Sequence, residues 1–278
     1  MHTRAFIAAD LRRLGLVAGD IVMVHASVRS VGPVIGGPDE IHLAVEEAVS
    51  PGGTVMMLAG CPDGYDDVGR GHLSAAEEAE LLAHLPAFDP FAMRAARDNG
   101  TLAEFFRSWP GTIPSDHACA RVAARGARAD WLVADHPWNH GFGRGTPFEK
   151  LVAARGKVLM LGADHDTATI LHHAEHIADF PDKIIARYRV PVLRDGQRVW
   201  RDCEEVNTSS AGCHAAWPDR FFAQIVDDFA ARNAGTSLCA VARVGDADTL
   251  LLDAAALVAH AIPILEQTAK GMPYFRAS

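Results

Sequence analysis

Residues 157–181 read KVLMLGADHDTATILHHAEHIADFP, and the fold class turns on them. The run opens with Val158, Leu159, Met160 and Leu161 in succession, the pattern of a strand buried on both faces. Gly162 breaks the strand. A polar loop follows with Asp164, His165 and Asp166, and Thr167 or Thr169 stands where a helix could be capped. That helix holds Leu171, His172, His173, Glu175 and His176 in little more than one turn. Open α/β sheets build their ligand sites where a buried strand delivers polar groups to a helix start. The stretch therefore predicts an α/β fold and locates its chemistry.

Towards the N-terminus, an apolar strand over 21–24, a helix opened by Pro38, Asp39 and Glu40 and running to Val49, and a strand over 54–58 form a βαβ unit with parallel pairing. Before it, residues 4–15 form a helix with Phe6, Ile7, Leu11 and Leu14 on one face and Gly15 as its stop. Residues 60–112 change character: an acidic, glycine-containing loop, a polar helix, an irregular stretch with two prolines, and a further helix starting near Leu102. Residues 113–133 read as a strand and then helix or strand.

Towards the C-terminus, residues 184–193 and 198–203 alternate as an antiparallel hairpin turned by Arg194, Asp195, Gly196 and Gln197, with Glu204, Glu205 and Asn207 at the end of its second arm. A helix over 215–233, a strand over 237–244 and terminal helices over 248–270 complete the chain. The expectation is one α/β domain over 1–278, a central mixed β-sheet flanked by helices, with a loop-rich helical insert at 60–112 on the substrate side.

Composition narrows the function. Hydrophobic residues make up 49% and charged residues 22%, ordinary values for a globular protein. The formal charge is −9, which speaks against a nucleic-acid partner and favours a cationic one. Five scattered cysteines form no CxxC pair, as expected in a reducing cytoplasm. The first sixteen residues lack a signal-peptide apolar core, and the apolar run over 250–265 is too short for a bilayer and contains Asp253, His260 and Pro263. A soluble, cytoplasmic protein without membrane contact follows.

Two chemistries fit the histidine helix. His172, Glu175 and His176 form an H-x-x-E-H string, the inverted zinc-peptidase pattern, with Glu204 or Glu205 available as a third ligand. Alternatively, one neutral imidazole acts as general base, its other ring nitrogen oriented by a carboxylate such as Glu205. A glycine-rich loop at 141–145, followed by Thr146 and Pro147 at a helix start, exposes amides suited to an anion.

Four motifs in order, VMVHASVRSVGPVIGG, PGGTVMM, HGFGRGTPFEKL and the opening stretch, resemble the aminoglycoside 3-N-acetyltransferase family, which is distinct in fold from the GNAT acetyltransferases. The resemblance covers roughly residues 3 to 265 and is weakest over 60–112. It implies transfer of an acetyl group from acetyl-CoA to the 3-amine of the 2-deoxystreptamine ring, hence antibiotic resistance, with no metal. His172 falls at the family's catalytic base and Glu205 at a functional carboxylate. Asn207 stands where some relatives carry Asp, so a two-carboxylate arrangement is not implied. Ser27, Arg29 and Ser30, with Thr146 and Phe148, fall in loops similar to those that hold coenzyme A in the family, so the resemblance implies that they bind it here. Asp66, Asp67, Asp164, Asp166 and Glu175 could bind the ammonium groups of the polycationic acceptor. A threonine hydroxyl or helix-start amide near 167–169 could steady the oxyanion. A monomer or homodimer is expected, and an acetyltransferase acting on a different amine is the nearest alternative.

Overall fold

Side chains one residue apart on a strand leave opposite faces of the sheet, and three neighbouring apolar strands set the architecture here. The computed structural model describes residues 1–208, 212–272 and 274–275. Its strands are β1 (Ile21–Ala26), β2 (Thr54–Leu58), β3 (Ile113–Pro114), β4 (Val122–Gly126), β5 (Lys157–Leu161), β6 (Ile185–Arg194), β7 (Gln197–Val206), β8 (Cys239–Val244) and β9 (Ala247–Asp253). Seven of them form one sheet in the order β3-β4-β2-β1-β5-β9-β8, while β6 and β7 pair only with each other. β1 lies parallel to β2 and β5, and the remaining pairs are antiparallel. The sheet is mixed, as the sequence suggests.

Met23, Met56, Val158 and Met160 enter one apolar cluster, and Val22, Val24, Val55, Met57, Leu159 and Leu161 enter the other. Each cluster needs a helical layer to complete it. On the second face the cover is α1 (Arg4–Leu14), α3 (Asp39–Val49) and α5 (Gly100–Ser108), through Ile7, Leu11, Ile41, Val45, Leu102 and Phe106. The one-turn α2 (Val28–Val31) follows β1 directly. On the first face lie α6 (Ala129–Val133), α7 (Pro147–Ala153), α8 (Ile170–Ile177), α9 (Phe221–Asn233) and α10 (Ala254–Ala269).

The insert contains α4 (Ala75–His84), which buries no residue and starts at a Ser74–Glu77 capping box. Its acidic loop is better anchored than the composition suggests. Tyr65 and Phe88 pack with Tyr188, Val190 and Cys203 of the hairpin in a third cluster.

Three boundaries differ from the sequence reading. Residues 248–253 are strand, because Leu251 and Leu252 are buried on opposite faces of the sheet. Periodicity alone does not separate such a short apolar run from a helix. α10 begins only at Ala254, where Asp253 accepts a hydrogen bond from the Ala256 amide at 2.8 Å. α9 begins at Phe221 rather than 215, and β7 runs on to Val206, so Glu204 and Glu205 lie within the strand.

Candidate active site

The site starts at the carboxyl end of β5. Gly162 has φ +61°, and a Cβ there would lie 2.5 Å from Ser30 Cβ and 2.9 Å from Ala247 Cβ. Only glycine lets the chain turn so closely under α2. Thr169 stands at the N-cap of α8 without a side-chain capping bond, and Asp164 caps the preceding turn at 165–167, accepting the Asp166 amide at 3.0 Å. Two bonds of 2.9 and 2.7 Å from Arg220 to the same carboxylate hold it below the usual carboxylate range. Thr167 donates to the Asp164 carbonyl at 2.6 Å and Thr169 to the Thr167 carbonyl at 3.3 Å. Neither hydroxyl proton is free for an oxyanion.

On α8, His172 and Glu175 stand one turn apart. His172 Nδ1 donates to Glu175 Oε2 at 2.7 Å. A carboxylate only accepts, so Nδ1 carries a proton, and in the neutral form of the ring Nε2 is the nitrogen with the lone pair. Among the described residues Nε2 has no partner, and the ring faces the main cavity between Phe142 and Phe222, at centroid distances of 5.1 and 4.8 Å. Glu175 is 1% exposed. Its Oε1 accepts from Trp217 Nε1 at 2.7 Å and from Cys213 Sγ at 3.2 Å. Burial pushes its pKa up, but the bonds from His172, Trp217 and Cys213 outweigh this and leave it below the usual value.

This corrects two expectations. The carboxylate that orients His172 is Glu175, not Glu205, and Glu175, at the border of a second cavity of about 380 Å³, has both oxygens engaged by His172, Trp217 and Cys213 rather than left for a substrate ammonium. Glu205 instead hydrogen-bonds His176 Nε2 and accepts the Gly141 amide at 2.6 Å. His176 Nδ1 faces the His172 carbonyl at 2.6 Å. Both nitrogens of His176 are thus occupied, so His172 and His176 do not converge on one zinc ion.

The glycine-rich loop is likewise a packing device rather than an anion cradle. The Gly141, Gly143 and Gly145 amides go to Glu205, to the His140 carbonyl and to Glu149 Oε2. A Cβ on Gly141 would come within 2.5 Å of His117 Nε2. Thr146 caps α7 and Phe148 packs on Phe142 at 4.8 Å, both 0% exposed, so neither side chain reaches a cavity.

The main cavity measures about 420 Å³. It collects His172, Thr167 and Asp166 from the central stretch, Asp66, Asp98 and Asn99 from the insert, and Tyr188 and Glu205 from the hairpin. Asp66 is paired with Arg70 at 2.6 Å, and burial raises its pKa. Asp166 lines the wall and accepts the Ala223 amide at 3.1 Å, while exposed Asp98 has no cationic partner among the described residues. Asp67 does not line the wall; it accepts from the Gly64 amide and His72 Nε2. Asn207 donates to the Gly212 carbonyl at 3.0 Å.

A smaller cavity of about 190 Å³ adjoins, with Ser27, His25, Asp164 and Asn99 in its wall. Ser27 and Ser30 are hydrogen-bonded to each other at 2.8 Å, and Arg29 is exposed. The sequence reading missed Phe142, Asn99, Tyr188, Trp217 and Phe222. They reach the site through long-range packing, and no local motif marks them.

Comparison with known proteins agrees with this geometry. Residues 23–266 match the family described as aminoglycoside 3-N-acetyltransferase. The chain is 42% identical over 265 residues to aminoglycoside N(3)-acetyltransferase III of Pseudomonas aeruginosa, covering 95% of this chain and 94% of the relative. It is 38% identical over 275 residues to aminoglycoside N(3)-acetyltransferase IX of Micromonospora chalcea, covering 96% and 95%. The fold superposes on AAC-IIIb in a binary complex with CoASH with a TM-score of 0.88 at 43% identity, covering 99% of each chain. It superposes on AAC-VIa bound to sisomicin with a TM-score of 0.86 at 34% identity, covering 95% and 97%. The chain belongs to the aminoglycoside 3-N-acetyltransferase family, a family of acyltransferases.

Proposed function

We propose that the protein transfers an acetyl group from acetyl-CoA directly to the 3-amine of the 2-deoxystreptamine ring of aminoglycosides, with His172 as general base, and that it thereby confers resistance. The observation that carries this reading is the Glu175–His172 pair, whose Nε2, without a partner among the described residues, opens onto a cavity with Asp98 and Asp166 in its wall. A polycationic acceptor is drawn to such a cavity. The attacking amine arrives as an ammonium and must lose a proton before it is a nucleophile. That proton is released to solvent, and Nε2 takes a second one from the neutral amine as its nitrogen attacks the thioester carbon. The C–S bond then breaks, and the imidazolium returns the proton to the departing sulfur.

Glu175 steadies the imidazolium while it exists. No cysteine nucleophile is needed, because amine and thioester meet in one ternary complex. We place the coenzyme in the smaller cavity and along Ser27, Arg29 and Ser30, where an exposed guanidinium can meet phosphate. The insert over 60–112 forms the acceptor side, with Asp66 and Asp98 as its acids. No helix among the described residues is long and apolar enough to cross a membrane, and with five free cysteines the protein is assigned to the cytoplasm as a monomer or homodimer.

The test is thiol release from acetyl-CoA with gentamicin, kanamycin, apramycin and a simple diamine, followed by mapping of the acetylated nitrogen. Turnover of a 2-deoxystreptamine compound with acetylation at its 3-amine is expected. Turnover of the diamine alone would move the assignment to another acceptor.

A further inference from the structure

The five cysteines divide into two groups. Cys203, Cys213 and Cys239 are buried, whereas Cys61 and Cys119 are partly open and both line the main cavity. The sheet brings these two together. Leu58 pairs with Val122 at the end of the antiparallel β2–β4 ladder, and the Ala59 and Gly60 amides both donate to the Arg121 carbonyl, at 2.8 and 3.0 Å. Three residues beyond the last rung on each strand, the thiols meet. Asp66 returns to them from the insert, its carboxylate steadied by Arg70 at 2.6 Å.

One ligand atom from each of Cys61, Cys119 and Asp66 lies within 4.8 Å of the other two. The buried Tyr188 hydroxyl lies beside Cys119 on the same cavity wall. Two sulfurs and one carboxylate oxygen make a three-ligand set for a tetrahedral d¹⁰ cation, with the fourth position facing the cavity. Thiolate ligands select zinc or cadmium over magnesium or calcium. The other cluster of ligand-type groups among the described residues is His140, His176 and Glu205. It is closed, because His176 uses both nitrogens and Glu205 holds the Gly141 and Val206 amides.

We propose that Cys61, Cys119 and Asp66 form a binding site for a thiophilic divalent cation, Zn²⁺ or Cd²⁺, and that an ion there closes the acceptor cavity to substrate. Each thiol releases its proton as its sulfur ligates the ion, and no oxidation occurs. The ion is an inhibitor rather than a catalyst, since His172 lies outside the ligand set. The blocking part rests on the acetyltransferase reading, and the binding part does not.

The experiment is a Cd²⁺ titration of the reduced full-length protein, followed by the ultraviolet thiolate-to-cadmium charge-transfer band and by equilibrium dialysis. One ion per chain with a thiolate band is expected. Cys61→Ser and Cys119→Ser should each abolish the band and weaken binding on the order of 100-fold, and Asp66→Asn roughly tenfold. Cys203→Ser should leave the titration unchanged. Coenzyme A binding by each variant verifies folding. Absence of the band, or its persistence in the Cys61→Ser/Cys119→Ser double variant, overturns the site. In the thiol-release assay, Cd²⁺ should inhibit the wild type reversibly by chelator and spare Cys119→Ser. A wild type that shows the band yet turns over at full rate would overturn the blocking role alone.

Discussion

Glu175 and Glu205 are both buried carboxylates hydrogen-bonded to a histidine of α8, and the two bonds predict different kinetics. Glu175→Gln removes the negative charge behind the imidazolium and replaces a group that can only accept with one that can also donate, so the His172 tautomer is no longer fixed and kcat should fall about 100-fold or more. Glu205→Gln leaves the His172–Glu175 bond in place and strikes the His176–Gly141 clamp. It should chiefly lower stability, by about 1–3 kcal/mol in a urea melt, with a smaller loss of kcat. Equal losses of kcat in both variants, with equal stability, would contradict the separation. At this scale His172 was legible and its partner was not. A three-residue spacing such as that of His172 and Glu175 permits a contact on one helix face, but the sequence reading takes the string as a zinc pattern and looks to Glu205 for the orienting carboxylate. The choice of Glu175 is made by Trp217 and Cys213, which enclose it from across the chain.

Elements carry the site to its place, and Gly162 shows how narrowly. Because a Cβ there would overlap the side chains of Ser30 and Ala247, Gly162→Ala should cost about 1–3 kcal/mol of stability. The same displacement should weaken coenzyme A binding, since Ser30 belongs to α2. An unchanged urea midpoint would count against the packing described here. Most elements were legible because their signals are local: the βαβ unit from two apolar runs around a proline-opened helix, and the hairpin from Asp195 and Gly196. The turn itself has φ +53° and +77° at these two residues, the left-handed pair of a tight hairpin. Strand β9 was misread because an apolar run of four to six residues has no period to distinguish strand from helix. The glycine-rich loop was misread because its amides are claimed by Glu205 and Glu149, one of them 64 residues away.

For the whole molecule, buried neutral histidines set the acid limit. His42 and His136 are 1% and 6% exposed, and burial pushes each down to about 4. Between their ordinary value near 6.5 and about 4, the unfolded chain binds more protons than the folded one. Their contribution is complete above pH 6.5 and is lost as pH falls toward 4, on the order of 3 kcal/mol each. Asp66, raised by burial, opposes this only weakly. Melting temperature should therefore be level from pH 8 to 7 and decline steadily between about 6.5 and 4; a level profile through that window would contradict the assignment. The fold class and sheet were readable from strands that alternate between two cores. The cavity was not, because its wall joins the insert, the hairpin and two helices whose sequences carry no record of their meeting.

The most direct test of the account is His172→Ala, assayed for acetyl transfer alongside coenzyme A affinity. Loss of the base should lower kcat by about 100- to 10,000-fold while coenzyme A binds nearly as well as to the wild type. A variant that kept near-normal turnover would remove His172 from the chemistry and the proposed mechanism with it.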